Sequence, residues 1–134
     1  MVPGDAIAAE VKYDAGSGKF MVGIVNVTRN AAFAVARRFP AQRTSAEWIA
    51  EAPASGAGVL PLANFGSVGY GGDFTAVSWT NTATVGGTTG PIASFGAAVH
   101  SIIMLSQSNA VKAQPSGLSP DGTSFSITWA SAGP

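Results

Sequence analysis

A chain of 134 residues with 46 % apolar side chains can enclose a hydrophobic core and is too apolar to stay disordered. Seven basic and seven acidic side chains cancel to a net charge of zero, which argues against nucleic acid or an anionic membrane surface as partner. There is no cysteine, so a disulfide framework and a thiolate metal site are excluded, and no apolar run reaches the roughly 20 residues that cross a bilayer as a helix.

The first residues, Met1-Val2-Pro3-Gly4-Asp5, carry neither the basic stretch nor the apolar stretch of a secretory leader. Ala6–Tyr13 alternates as a strand does, with Ile7, Ala9 and Val11 on one face and Glu10 and Lys12 on the other. Asp14-Ala15-Gly16-Ser17-Gly18 is a turn signal, after which Lys19–Arg29 and Ala32–Phe39 read as strands. Ser45–Glu51 reads as a fourth, closed by Ala52-Pro53 and a Ser-Gly-Ala-Gly loop.

Beyond it the pattern predicts strands over Ala63–Tyr70, Phe74–Thr80, Thr82–Val85, Val99–Ser106, Ala110–Ala113 and Thr123–Ala130. The last alternates most cleanly, Phe125, Ile127 and Trp129 against Ser124, Ser126 and Thr128. With 17 glycines and 8 prolines serving many tight turns, short strands at regular spacing indicate an all-β fold. The expectation is an antiparallel β-sandwich, a double sheet of concanavalin-like or jelly-roll-like type, forming a single domain over residues 1–134.

Charged residues are only 10 %, and between Ala52 and Val111 the one formal charge is Asp73. Few native carboxylate ion pairs mean little stability lost as pH falls, which hints at an acidic working environment. His100 is the only histidine, so a multi-histidine zinc site is excluded and no metal or cofactor is expected. A Ser-His-Asp triad would have to use it, and no Gly-x-Ser-x-Gly elbow accompanies it. Gly69-Tyr70-Gly71-Gly72 and Gly86-Gly87 lack a following lysine and read as turns. Arg37-Arg38 reads as a solvated strand end, and Asn26-Val27-Thr28 matches a glycosylation sequon inside a strand.

Glu47-Trp48-Ile49-Ala50-Glu51 carries the densest chemistry. On an extended strand Glu47, Ile49 and Glu51 share one face, and the two carboxylates lie roughly 13 Å apart. That exceeds the roughly 5–9.5 Å used by glycosidase acid pairs, so these two do not form such a dyad together. The plain alternative is a half-buried strand with two solvated acids.

The stretch Thr44-Ser45-Ala46-Glu47-Trp48-Ile49-Ala50-Glu51-Ala52-Pro53 resembles the glutamic peptidases, or eqolisins, acid endopeptidases whose catalytic glutamate closes an Ala-Glu-Trp-Ile-x-Glu run. Leu60–Val68, Gly90-Pro91-Ile92 and Pro115–Trp129 follow in the family's order, the last as in bacterial members, and Pro3–Ile7 resembles its Gly-Asp strand entry. The resemblance implies a sandwich of two antiparallel sheets, Glu51 as catalytic carboxylate, a polypeptide substrate, no cofactor, and a secreted parent protein. It also implies a glutamine partner upstream of the Gly-Asp strand. Gln42, Gln107 and Gln114 do not stand in that context. The expectation is therefore the C-terminal part of such a domain, incomplete on its N-terminal side and inactive or weakly active alone. Its exposed sheet edges would suit a homo-oligomer or a complementing N-terminal half. The other function class is a non-catalytic β-sandwich module binding carbohydrate or protein.

Overall fold

The computed structural model describes residues 1–56, 58–71 and 81–133. They fall into two compact units, Met1–Thr44 and Ser45–Pro134. The strand expected over Phe74–Thr80 lies outside the described residues, as do Asp73 and Trp79.

The first unit is a three-stranded antiparallel meander: β1 (Ile7–Asp14), β2 (Lys19–Asn26) and β3 (Ala31–Arg37), in that spatial order. The Asp14 carboxylate forms the first turn by accepting from the N–H groups of Gly16 at 3.1 Å and Ser17 at 3.3 Å. Gly18 closes it at φ +64°, a conformation a Cβ would strain. The second strand ends at Asn26, earlier than the sequence suggests. Its Oδ1 accepts from the Arg29 N–H at 3.0 Å, and Asn30 turns the chain at φ 51°.

Register places Ala9 and Val11 beside Ile24 and Val22, and those beside Phe33 and Val35, on one face, which Ile7 opposite Asn26 extends. The apolar grouping expected for β1 therefore holds, but its members are not enclosed by the unit: Val11 is 68 % and Phe33 66 % exposed. Asp5 secures the entry to β1. Its side chain, 4 % exposed, accepts from Asn26 Nδ2 at 2.7 Å and Arg29 Nε at 2.9 Å, and from the Val2 N–H at 3.0 Å.

The second unit contains eight strands among its described residues: β4 (Ala54–Ser55), β5 (Gly58–Val59), β6 (Ser67–Tyr70), β7 (Thr82–Val85), β8 (Thr88–Pro91), β9 (Met104–Leu105), β10 (Val111–Pro115) and β11 (Phe125–Trp129). Four form an antiparallel sheet in the order β6-β11-β10-β9, while β4-β5 and β7-β8 are hairpins. Gly86 and Gly87, at φ 58° and 83°, give β7-β8 the two positive-φ positions of a tight hairpin turn. Of the strand expected over Val99–Ser106 only Met104–Leu105 pairs. The residues before it, Ile92–Ala98, coil as a 3-10 helix broken at Gly96.

The core of this unit is Ala52, Leu62, Ile92, Ala113, Phe125 and Ile127, with Trp48, Ala50, Phe65, Tyr70, Val99, Met104 and Trp129 packed against it. The cross-strand pairs Tyr70–Phe125, Val68–Ile127 and Ala113–Trp129 set one face of the sheet toward that core, as alternation along β11 requires. Trp129 then ties in the preceding loop, donating Nε1–H to the Leu62 carbonyl at 3.2 Å and N–H to that of Gly66 at 2.8 Å. All the sheets are antiparallel, and none closes into a barrel among the described residues.

Candidate functional site

Residues 45–53 join no strand of the described residues. This differs from the expected fourth strand, although the alternation that suggested it is real. Trp48 and Ala50 are partly buried against the core and Ala52 is 6 % exposed, whereas Glu47, Ile49 and Glu51 face solvent. The chain is extended here because every second side chain is drawn into one hydrophobic core. Burial of side chains specifies which way they point; it does not supply a ladder partner.

Three contacts fix the segment. Tyr70 donates its Oη–H to the Ile49 carbonyl at 2.7 Å. The Tyr70 ring is itself held flat on Phe125, centroids 4.8 Å apart and planes 3° from parallel. Beyond Glu51, the Leu60 N–H donates to the Pro53 carbonyl at 2.8 Å, and buried Ala52 anchors the position directly after the glutamate. The Glu51 carboxylate thus projects outward from a backbone held on both sides. A solvent-facing carboxylate at such a point can take a proton from water or return one to a departing amine.

Tyr70 is the residue that sequence reasoning missed. It sat in a glycine-rich run that reads as a turn, and the carbonyl it holds lies 21 residues earlier. Burial raises its phenol above the ordinary value of 10.0, so the hydroxyl keeps its proton and stays a donor throughout acid and neutral pH.

The other candidates stand elsewhere. Glu47 is exposed on the same side of the segment as Glu51. Gln107 lies in the turn between β9 and β10, and Gln114 is exposed on β10 opposite Thr128. Gln42 belongs to the first unit. His100 is exposed just past the 3-10 helix. The sequon residue Asn26 is buried and commits Nδ2 to Asp5. No group of three metal-ligating side chains occurs among the described residues, and no helix among them is long and apolar enough to cross a membrane.

The sequence pattern of the peptidase A4 family matches residues 1–129. The chain is similar to the crystal structure of aspergilloglutamic peptidase from Aspergillus niger, at 26 % identity and a TM-score of 0.70, over 97 % of this chain and 69 % of that one. No curated relative matches by sequence. The structural likeness assigns the fold class expected from alternation and turns, an antiparallel β-sandwich.

Proposed function

The chain belongs to the peptidase A4 family, and from that premise we propose that Glu51 is the catalytic carboxylate of an acid endopeptidase domain spanning residues 1–134. The observation that supports this most directly is the outward projection of Glu51 from a segment pinned by Tyr70, Ala52 and the Pro53–Leu60 bond. Glu47 shares the exposed side and follows exposed Ala46, its one packed neighbour being Trp48, whereas Glu51 stands between part-buried Ala50 and buried Ala52.

In this reading the ionised Glu51 accepts a proton from water as the water oxygen bonds to the carbonyl carbon of the substrate. The tetrahedral intermediate then breaks its C–N bond while the protonated Glu51 returns the proton to the leaving amine. Atoms and charge balance, and the carboxylate is regenerated. A carboxylate suits this work in acid, where an imidazole is fully protonated and cannot act as base.

The oxyanion needs a donor that acid does not switch off, and a glutamine amide meets that need because it is neutral and offers both N–H and C=O. Gln42, Gln107 and Gln114 do not match the family context for this role. We assign the donor to a glutamine outside these 134 residues, brought by a complementing segment or a longer form of the protein. The chain by itself is then weakly active or inactive, and the working protein is secreted into an acidic medium.

The test is cleavage of a denatured protein at about pH 3, where carboxylate-based catalysis operates. The chain is assayed alone and with a polypeptide carrying the tryptophan- and glycine-rich glutamine segment of the family. Cleavage that depends on the added segment and disappears in Glu51→Gln supports the assignment. Cleavage retained in Glu51→Gln refutes it.

A further inference from the structure

We infer that the β1–β2 turn end of the first unit binds a sulfated polysaccharide through Lys12, Lys19, Arg37, Arg38 and Arg43. The patch owes nothing to Glu51; only the choice of sulfate over carboxylate rests on the acidic medium proposed above.

Charge is divided unevenly along a chain whose total is zero. Residues 1–44 hold six basic and three acidic side chains, and residues 45–134 hold one basic and four acidic. The Asp5–Arg29 pair cancels itself at the end of the meander where Ile7 meets Asn26. The other five cations gather toward the opposite end. Lys12 and Lys19 flank the β1–β2 turn, Arg37 closes β3, and Arg38 and Arg43 follow it. All five are exposed, and none of them forms an ion pair among the described residues. The surplus itself is a count over the sequence. Glu10 and Asp14 are the acids left in this unit, and Asp73, the one acidic side chain outside the described residues, is a single charge.

Packing holds several of these cations in place. Register sets Tyr13, Phe20 and Arg37 in one row across the three strands. The two rings meet at 5.1 Å, and the Arg43 guanidinium lies 4.0 Å over the Tyr13 ring. It keeps that place although the backbone at Arg43 takes φ 58°, which residues with a Cβ disfavour. Gly18 leaves room for Arg38, since a Cβ there would stand 2.8 Å from Arg38 Nη1. Arg37 Nη1 donates to the Ala36 carbonyl at 3.0 Å. A guanidinium carries five N–H donors, so one such bond leaves most of them for a ligand.

The chemistry of the patch selects its partner. Guanidinium forks match the oxygens of sulfate and phosphate two at a time. Cations spread over two strand ends, a turn and the following segment suit a repeating anion better than a single ion. In acid, lysine and arginine keep their charge, whereas a carboxylated polymer loses its own around pH 4; sulfate esters stay ionised. Single-stranded nucleic acid stays ionised too, but it draws on stacking against open aromatic faces. Here Arg43 covers Tyr13, and Tyr13 and Phe20 are half-buried against each other. The patch offers charge and donors, not a stacking platform.

The experiment measures binding of the whole chain to dextran sulfate, carboxymethyl dextran and a thymidine oligonucleotide at about pH 7 and about pH 3, where carboxylates are ionised and protonated respectively. Dextran sulfate should bind at both, carboxymethyl dextran at the higher pH alone, and the oligonucleotide more weakly than dextran sulfate. Counterion release on a flexible polyanion gives log K against log salt a slope of about −0.7 per contact, so five contacts give about −3.5. Arg37→Gln, Arg38→Gln and Arg43→Gln together should reduce that slope by about 2 and weaken binding at least about tenfold at about 0.1 M salt. Arg37→Lys, Arg38→Lys and Arg43→Lys together should keep the slope. A second readout needs no substitution: amide shifts on titration with a short sulfated dextran should centre on residues 12–20 and 37–43.

No binding of dextran sulfate, a slope indifferent to the glutamine changes, or shifts centred elsewhere would overturn the inference. So would carboxymethyl dextran retained in acid, or an oligonucleotide bound as tightly as dextran sulfate. The peptidase reading is judged separately by Glu51-dependent cleavage, which none of these results decides.

Discussion

Replacing Tyr70 with phenylalanine isolates a single hydrogen bond to the Glu51 segment. The ring lies flat on Phe125 at 4.8 Å, and phenylalanine keeps that stack and its buried area. Only the bond from Oη–H to the Ile49 carbonyl, 2.7 Å long, is lost. A neutral hydrogen bond contributes about 0.5–1.5 kcal/mol net. The Ile49 side of the segment is open to water, which can take over the carbonyl, so the lower half applies: about 0.5–1 kcal/mol. Tyr70→Ala removes the ring as well and costs about 3–5 kcal/mol.

Urea unfolding followed by tryptophan fluorescence measures both, compared through the midpoint at constant m. A second signature lies in alkali. Because burial raises the Tyr70 phenol above 10.0, the stability it contributes is complete below the unfolded value and falls as pH rises through the folded one. Tyr70→Phe should therefore flatten the alkaline limb of the stability profile, while Glu51-dependent cleavage slows with little change in substrate affinity. A Phe variant as unstable as the Ala variant would refute the reasoning. So would one identical to the parent in midpoint, alkaline limb and cleavage.

Asp5→Asn should lower the stability of the first unit at neutral pH and remove part of its acid dependence. The carboxylate sits below its ordinary 3.8, through the Val2 N–H first, then Asn26 and Arg29, so its contribution is present above 3.8 and lost as pH falls through the folded value; urea midpoints from about pH 7 to pH 2 check the slope. Two glycines at positive φ should separate by their surroundings. Gly87→Ala, at φ +83° with open space around it, should cost about 1–2 kcal/mol for backbone strain alone. Gly122→Ala, at φ +71°, would drive its methyl into Ala93 and cost more, read by thermal unfolding of the two side by side.

Much of the fold was legible because its signals are local. Gly86-Gly87 reads as a turn, and both φ angles are positive as a tight turn demands; the strand Thr88–Pro91 behind it was not legible, because Gly86–Gly90 is glycine and threonine alone and reads as a loop. Phe125, Ile127 and Trp129 alternate with small polar residues, and all three meet the core. The same rule identified which side chains of 46–52 turn inward. It said nothing of whether the backbone there finds a partner, since alternation concerns faces and pairing concerns edges.

Contacts that close large loops were out of reach for the same reason. Tyr70 reaches Ile49 across 21 residues, and Asp5 reaches Asn26 and Arg29 across 21 and 24. No periodicity encodes such pairs. The Gly-Asp entry was visible as a family feature, but its role as a latch on the β2–β3 turn emerges only from the coordinates. The β-bulge on β10, where register shifts between Val111 and Ala113, left no mark on the sequence either.

Sparse charge raises the expectation of tolerance to acid, and the structure identifies the groups on which acid would act. Only one ion pair, Arg29–Asp5, occurs among the described residues, so there is little cross-charge attraction for protonation to remove. The acids that do support the fold rely mainly on neutral donors. Asp14 is held below its ordinary value by the Ser17 hydroxyl and the Gly16 N–H, and Asp121 by the Ser119 hydroxyl and by Thr123. Such donors keep their protons at any acidic pH, so the depression they impose does not weaken as the medium acidifies. The sign of the linkage sets the limit. Each of these turns contributes fully above 3.8 and loses its contribution only as pH falls through a folded value below that. The turns therefore stay locked across the range in which an ionised carboxylate can still serve as a base, which is the range the proposed chemistry of Glu51 requires.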